Sequence, residues 1–306
     1  MQIRLTDDVA AALASGRPVV ALESTIVAHG FPQPDNLAVA RAMVDAVAES
    51  GAIPAVIAVV DGVPCAGLTD AQLRHLATSG RFDKCASRDV PRAIATGACA
   101  ATTVSATCLI AAKAGIEVFA TGGIGGVHRD AATTFDISAD LGALARWPVL
   151  VVSAGAKSIL DLPATVERLE TLGVPVVGFD CDQFPAFYAR ESGVELTWST
   201  NDVAEIARAF DAQKQLGGML VANPVPADSG IDSATMKTWI DNALRRASTA
   251  GVHGRDLTPF LLQALVGISG GQTLRANRAL AVANARLAAQ IAANLCENRQ
   301  FSGPAT

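Results

Sequence analysis

Lys157 stands in an unusual setting for a lysine. The stretch VVSAGAKSILDL (residues 151–162) runs β-forming valines into Ser153, Ala154, Gly155 and Ala156, which give a long side chain little bulk to lie against. Lysines normally reach along apolar surface to water. One held in a dry pocket binds its proton less tightly and becomes a nucleophilic amine. Such an amine needs a proton donor beside it. Glu23, in ALESTIVAHG (21–30), ends an apolar run where desolvation would keep a carboxyl partly protonated, as a general acid requires. A helix-capping or ion-paired glutamate fits the same stretch.

Three further groups qualify. TGGIGGVHR (121–129) puts four glycines after an apolar run, a backbone suited to close ligand approach or an anion nest, or to a tight turn alone. His128 beside it suits proton transfer, substrate orientation or a structural hydrogen bond. In FDISADL (135–141), Asp136 and Asp140 are four apart. At a helix start they would share one face near the positive end of the dipole and could hold a hydrated divalent cation, or serve as capping acids. Lys84 and Arg88 in DKCASRD (83–89), with the hydroxyl-rich AATTVSAT (100–107) at an expected helix start, could form a phosphate pocket. A solvated lysine and an ordinary capped helix explain them separately.

Apolar runs bounded by glycine or proline must position these groups. RPVVALE (17–23), IPAVIAVV (53–60), IEVFATGG (116–123), WPVLVVSAG (147–155), VPVVGFD (174–180) and GGMLVAN (217–223) predict strands buried on both faces. Helical patterns alternate with them, one from Asp35 to Gly51 and another from Asp161 to Gly173, and the last third is chiefly helical. DGVPCAGL (61–68) predicts a hairpin excursion. The expected fold is a three-layer α/β/α domain over 1–306 with a mostly parallel central sheet. In such sheets ligands gather outside the carboxyl ends of strands, which selects Glu23, the glycine turn, Lys157 and Asn223 as places for chemistry.

Composition narrows the partners. A net charge of −5 without a basic cluster argues against a nucleic-acid polymer. The longest apolar stretches fall well short of a bilayer span, and the N-terminus lacks a signal-peptide core, so a cytoplasmic protein with no membrane partner is expected. Six cysteines form no C-x-x-C pair and predict reduced, mostly buried thiols. A mean hydropathy of +0.33 points to an oligomer that hides apolar surface.

Taken in order, ALESTIVAHGFPQPDN, GAIPAVIAVVDG, FATGGIGGVHR, TFDISADL, SAGAKSILDL, LETLGVPVVGF, TPFLL and GGQTLRANRAL resemble the pseudouridine-5'-phosphate glycosidase family, which includes the indigoidine-synthase-A-like proteins. The resemblance covers about residues 20 to 290. It implies reversible cleavage of pseudouridine 5'-phosphate to uracil and ribose 5-phosphate. The lysine matching Lys157 is the covalent nucleophile, opening the ribose ring into an imine-type adduct, and the glutamate matching Glu23 moves the proton. Asp136 matches an aspartate that holds a divalent metal, typically Mn2+, largely through water. Lys84 matches a substrate-binding lysine facing the phosphate. Ser138, Ala139 and Asp140 match a segment touching substrate, and Val104 a backbone contact. Thr121, His128 and Asn277 match further polar positions of the site. Family members share an α/β/α core and assemble as homotrimers. One departure stands out: Ala86 and Ser87 in KCASRD replace an expected serine and arginine, which bears on phosphate affinity.

Two other readings compete. A different Schiff-base lyase or aldolase for sugar phosphates would use the same Lys157, and a catalytically silent nucleotide-binding protein would need neither Lys157 nor Glu23. On the family reading, the small residues before Lys157 leave room for the opened ribose phosphate. Bulk at Gly155 or Ala156 would then harm catalysis more than stability.

Overall fold

A computed structural model describes residues 1–252 and 257–302. The first half holds β1 (Arg4–Leu5), α1 (Asp7–Ala14), β2 (Val19–Leu22), α2 (Thr25–His29), α3 (Asp35–Glu49), β3 (Ile53–Val60), β4 (Val63–Ala66), α4 (Asp70–Thr78), β5 (Asp83–Cys85), α5 (Val90–Thr96), β6 (Ala100–Thr102), α6 (Val104–Ala114) and β7 (Val118–Ala120). The second holds α7 (Ala131–Thr134), α8 (Ala139–Arg146), β8 (Leu150–Ser153), α9 (Leu162–Thr171), β9 (Val176–Phe179), β10 (Ser199–Thr200), α10 (Val203–Gln213), β11 (Met219–Ala222), α11 (Ser233–Thr249), α12 (Leu257–Ile268) and α13 (Gln272–Ser302).

The main sheet runs β1-β4-β3-β2-β7-β8-β11-β9-β10, parallel throughout from β3 to β10. Helices cover both faces, with α3, α10 and α13 packed together on one and α6 and α8 on the other. Buried valine, leucine and alanine fill the strands on both sides, as β2, β8 and β11 show by being buried at every position. This is the expected three-layer α/β/α architecture. The hairpin excursion is β3–β4, antiparallel and closed by Asp61 and Gly62, both at positive φ as a two-residue turn requires.

All six predicted strands form. β1, β5, β6 and β10, of two or three residues each, carry no periodic signal and were not predicted. AATTVSAT divides into β6 and the start of α6, with Thr103 at the helix cap. FDISADL departs further from expectation. Ser138 caps α8, so Asp140 lies inside its first turn while Asp136 precedes the helix.

α13 is long and apolar enough to cross a membrane by length and composition. It packs instead against α3, α10, β2, β7 and β8, with Leu280, Ala281, Ala285 and Leu287 in the core.

Candidate active site

The parallel order β2-β7-β8-β11 sets the ends of four strands side by side. Glu23 follows β2, Thr121 follows β7, the loop bearing Lys157 follows β8 and Asn223 follows β11. Glu23 is buried, and its carboxylate accepts the Thr121 hydroxyl in a short hydrogen bond. Burial pushes its pKa up to about 7, against the opposing pull of the Lys157 ammonium, the Thr121 hydrogen bond and Lys84; Asp140 adds to the rise. A carboxyl poised there can both give and take a proton near neutral pH. Lys84, on β5, has a lowered pKa through desolvation and the neighbouring Lys157, although much of its side chain reaches solvent. Two cations and a buried acid therefore share one field, from three separate parts of the chain.

The ST of ALEST fastens this end of the sheet. Ser24 Oγ accepts the Thr102 amide at 2.7 Å, and the Thr25 hydroxyl donates to Thr102 O at 2.7 Å. β6 and β5, with Lys84, are thereby drawn toward Glu23. Asp140 makes a second tie: its two oxygens accept the Ser105 amide and the Gly125 amide, each at 2.9 Å. It joins α8, the first turn of α6 and the glycine turn. Ser138 supports it by accepting the Asp140 amide at 3.2 Å. Val104 heads α6 next to the amide that Asp140 holds, and Ala139 is exposed at the start of α8.

The pairing of Asp136 with Asp140 as cation ligands is thus corrected. Asp140 is buried and committed to backbone amides, while Asp136, 44% exposed, faces His128 Nε2 at 3.8 Å. Among the described residues no group of three or more His, Cys, Asp or Glu gathers as a ligand cluster. One partly exposed carboxylate suits a cation that keeps most of its water shell, not one enclosed by protein ligands.

Two other expectations change. In the glycine turn, a Cβ at Gly123 would overlap the Phe187 ring, at Gly125 the Ser138 side chain and at Gly126 the Thr165 side chain. These glycines admit the protein's own side chains, so close packing accounts for them without a ligand. The small residues before Lys157 are taken up in packing. Ser153, Ala154 and Ala156 are fully buried, and Gly155, at φ +68°, would place a Cβ onto Pro185 O. The loop is held rigidly, with the Lys157 amide on Ile124 O at 3.1 Å and the Leu160 amide on Lys157 O at 3.0 Å.

Asn277, on α13, is buried beside Gly122, and its Oδ1 has no hydrogen-bond partner. Sequence reasoning missed Asn284, seven residues on and fully buried. Two asparagines two turns apart in an alanine-rich helix were the available signal, since buried amides require partners.

The model for indigoidine synthase A like proteins matches residues 8–294. The chain belongs to this family. A protein of Solibacter usitatus (strain Ellin6076) named pseudouridine-5'-phosphate glycosidase is 51% identical over 298 residues, covering 96% of this chain and all of that one. One of the same name from Caldanaerobacter subterraneus subsp. tengcongensis is 49% identical, with 96% of each chain covered. Among solved structures, the prealnumycin C-glycosynthase AlnA in complex with ribulose 5-phosphate superposes with a TM-score of 0.92 at 38% identity, covering 98% of this family member and 99% of AlnA. An indigoidine synthase A-like protein of Thermotoga maritima superposes at 0.87 with 36% identity, covering 96% of each.

Proposed function

We propose that this chain is an enzyme that reversibly cleaves the C–C glycosidic bond of pseudouridine 5'-phosphate, giving uracil and ribose 5-phosphate. The observation that carries the reading is a buried acid poised near neutrality within the field of Lys157, in a chain about half identical over its length to proteins named for that activity. Lys157 Nζ, once its ammonium has lost a proton to solvent, attacks the anomeric carbon. The ring oxygen leaves and takes the proton held by Glu23. The nitrogen, cationic after the attack, gives a proton to the Glu23 carboxylate, which passes it to C5 of the base; the bond between that carbon and the anomeric carbon then breaks, its electrons restore the uracil ring, and the freed nitrogen lone pair completes an iminium. Water then releases ribose 5-phosphate and regenerates the amine.

Lys84 suits the phosphate, with the Val104 backbone at the head of α6 beside it as a further contact. The unpartnered Asn277 Oδ1 suits an N–H of the base. Ser138, Ala139, Asp140, Thr121 and His128 complete the proposed substrate surround. A divalent cation, expected to be Mn2+, would be held by Asp136 through its water shell and would supply positive charge to an anionic ligand. The proposed assembly is a homotrimer, and the proposed location is the cytoplasm. A ribulose 5-phosphate complex in the AlnA neighbour agrees with a five-carbon sugar phosphate here.

The test is incubation with ribose 5-phosphate, uracil and Mn2+ followed by borohydride. A reduced adduct on the peptide containing Lys157, together with an ultraviolet change marking the C-glycoside, is expected. Adduct without any C-glycoside would favour a different sugar-phosphate lyase, and neither signal would sink the proposal. Lys157→Ala should abolish turnover and leave the fold intact; appreciable residual turnover removes Lys157 from the nucleophile's role.

A further inference from the structure

A buried amide bridge ties the strand ends that carry the acid and the amine. Asn284, fully buried on α13, donates its Nδ2 to Thr121 O at 2.7 Å and lies 3.4 Å from Gly122 O. Its Oδ1 accepts from Asn223 Nδ2 at 2.9 Å. The two residues that it joins grip the β8 end from opposite sides. The Thr121 amide donates to Val152 O at 3.0 Å and the Asn223 amide to Ser153 O at 2.8 Å. Thr121 then presents its hydroxyl to Glu23. A neutral amide suits this position because it donates on one side and accepts on the other without bringing charge into a buried site.

We propose that Asn284 is a positioning residue that fixes the Thr121 peptide, and through it both the hydroxyl on Glu23 and the seat of the loop bearing Lys157. It touches no reacting atom. The catalytic consequence rests on the reading of Glu23 as the acid; the geometric claim does not. Besides Thr121, the groups acting on Glu23 are Lys157 from the β8 loop, Lys84 from β5, Asp140 from α8 and the Cys108 thiol from α6, all unchanged by substitution at 284. Loosening the bridge therefore alters the Thr121 hydrogen bond and leaves the surrounding charges in place. That bond favours the carboxylate, so its loss moves the titration of Glu23 upward.

The experiment follows the Glu23 carboxyl band by infrared difference spectroscopy across pH, with Glu23→Gln identifying the band. Asn284→Ser should raise the midpoint by about half a pH unit or more. Thr121→Val should shift it the same way, and the double variant no further. In turnover, Asn284→Ser should lower kcat about tenfold or more while KM changes far less. If Asn284→Ser does not fold, Asn223→Ala loosens the same bridge from its other end and should give the same pair of effects. A folded variant with an unchanged midpoint, or with a shifted midpoint and unchanged kcat, overturns the proposal. Since the infrared reading needs no substrate, a wild-type protein inert toward pseudouridine 5'-phosphate would sink the proposed function and leave the midpoint to decide the role of Asn284.

Discussion

Glu23 illustrates how burial and counter-charge compete over one carboxyl. Desolvation outweighs Lys157, Thr121 and Lys84 and lifts the pKa to about 7. If the protonated form opens the ribose ring, kcat falls as pH rises through about 7, and Glu23→Gln removes most turnover along with that limb; a pH–rate profile checks both. The same shift acts on stability. Below the ordinary value of 4.5 both folded and unfolded chains hold the proton. Between 4.5 and about 7 only the native state does, so stability is lost with rising pH across that window, by up to roughly 3 kcal/mol, and is level above it. Glu23→Gln lacks this loss, so its Tm relative to wild type should be higher at pH 8 than at pH 4.5. Equal differences at the two pH values would contradict the burial account.

The informative elements are the short connections, because the strands differ little from one another. The β8–α9 loop holds Gly155 at positive φ, where a Cβ would overlap Pro185 O, which leaves no space for a side chain. Gly155→Ala should cost at least about 2 kcal/mol, read from urea denaturation, with activity lost only as the fold is lost. This reverses the expectation that bulk there would harm catalysis first. Ala156 is likewise part of the packed interior. Asp140 works between elements, taking one amide from α6 and one from the glycine turn. Replacement by alanine would leave both amides unpaired, at about 1–3 kcal/mol each, and would remove a negative charge that raises the Glu23 pKa.

Across the whole molecule, α12 carries Leu262 and Val266 half-buried, a partial exposure of apolar side chains consistent with the positive mean hydropathy. Burial of such surface in a proposed homotrimer would remove it from water. Light scattering should then give three times the 31.4 kDa chain mass, and a single-chain mass would refute the assembly. The covering of the sheet is legible from sequence because strands flanked on both faces read as near-continuous apolar runs, as in VVAL, LVVS and MLVA, where Ser153 is the single polar residue.

The sequence by itself determined the alternation of strands and helices, the six principal strands, the hairpin turn and, through ordered motifs, the family. These signals are local, set by periodicity, turn chemistry and residue type. It also selected Glu23 and Lys157 as residues at strand ends. Only the tertiary structure decided that Asp136 and Asp140 part company, that the glycines of the turn serve packing, and that Asn284 reaches Thr121 across 163 positions of chain. Such facts depend on which strand ends lie side by side and on which donor is left without a closer partner. Spacing along the chain carries neither, because a hydrogen bond or a desolvated charge is fixed by distances in space.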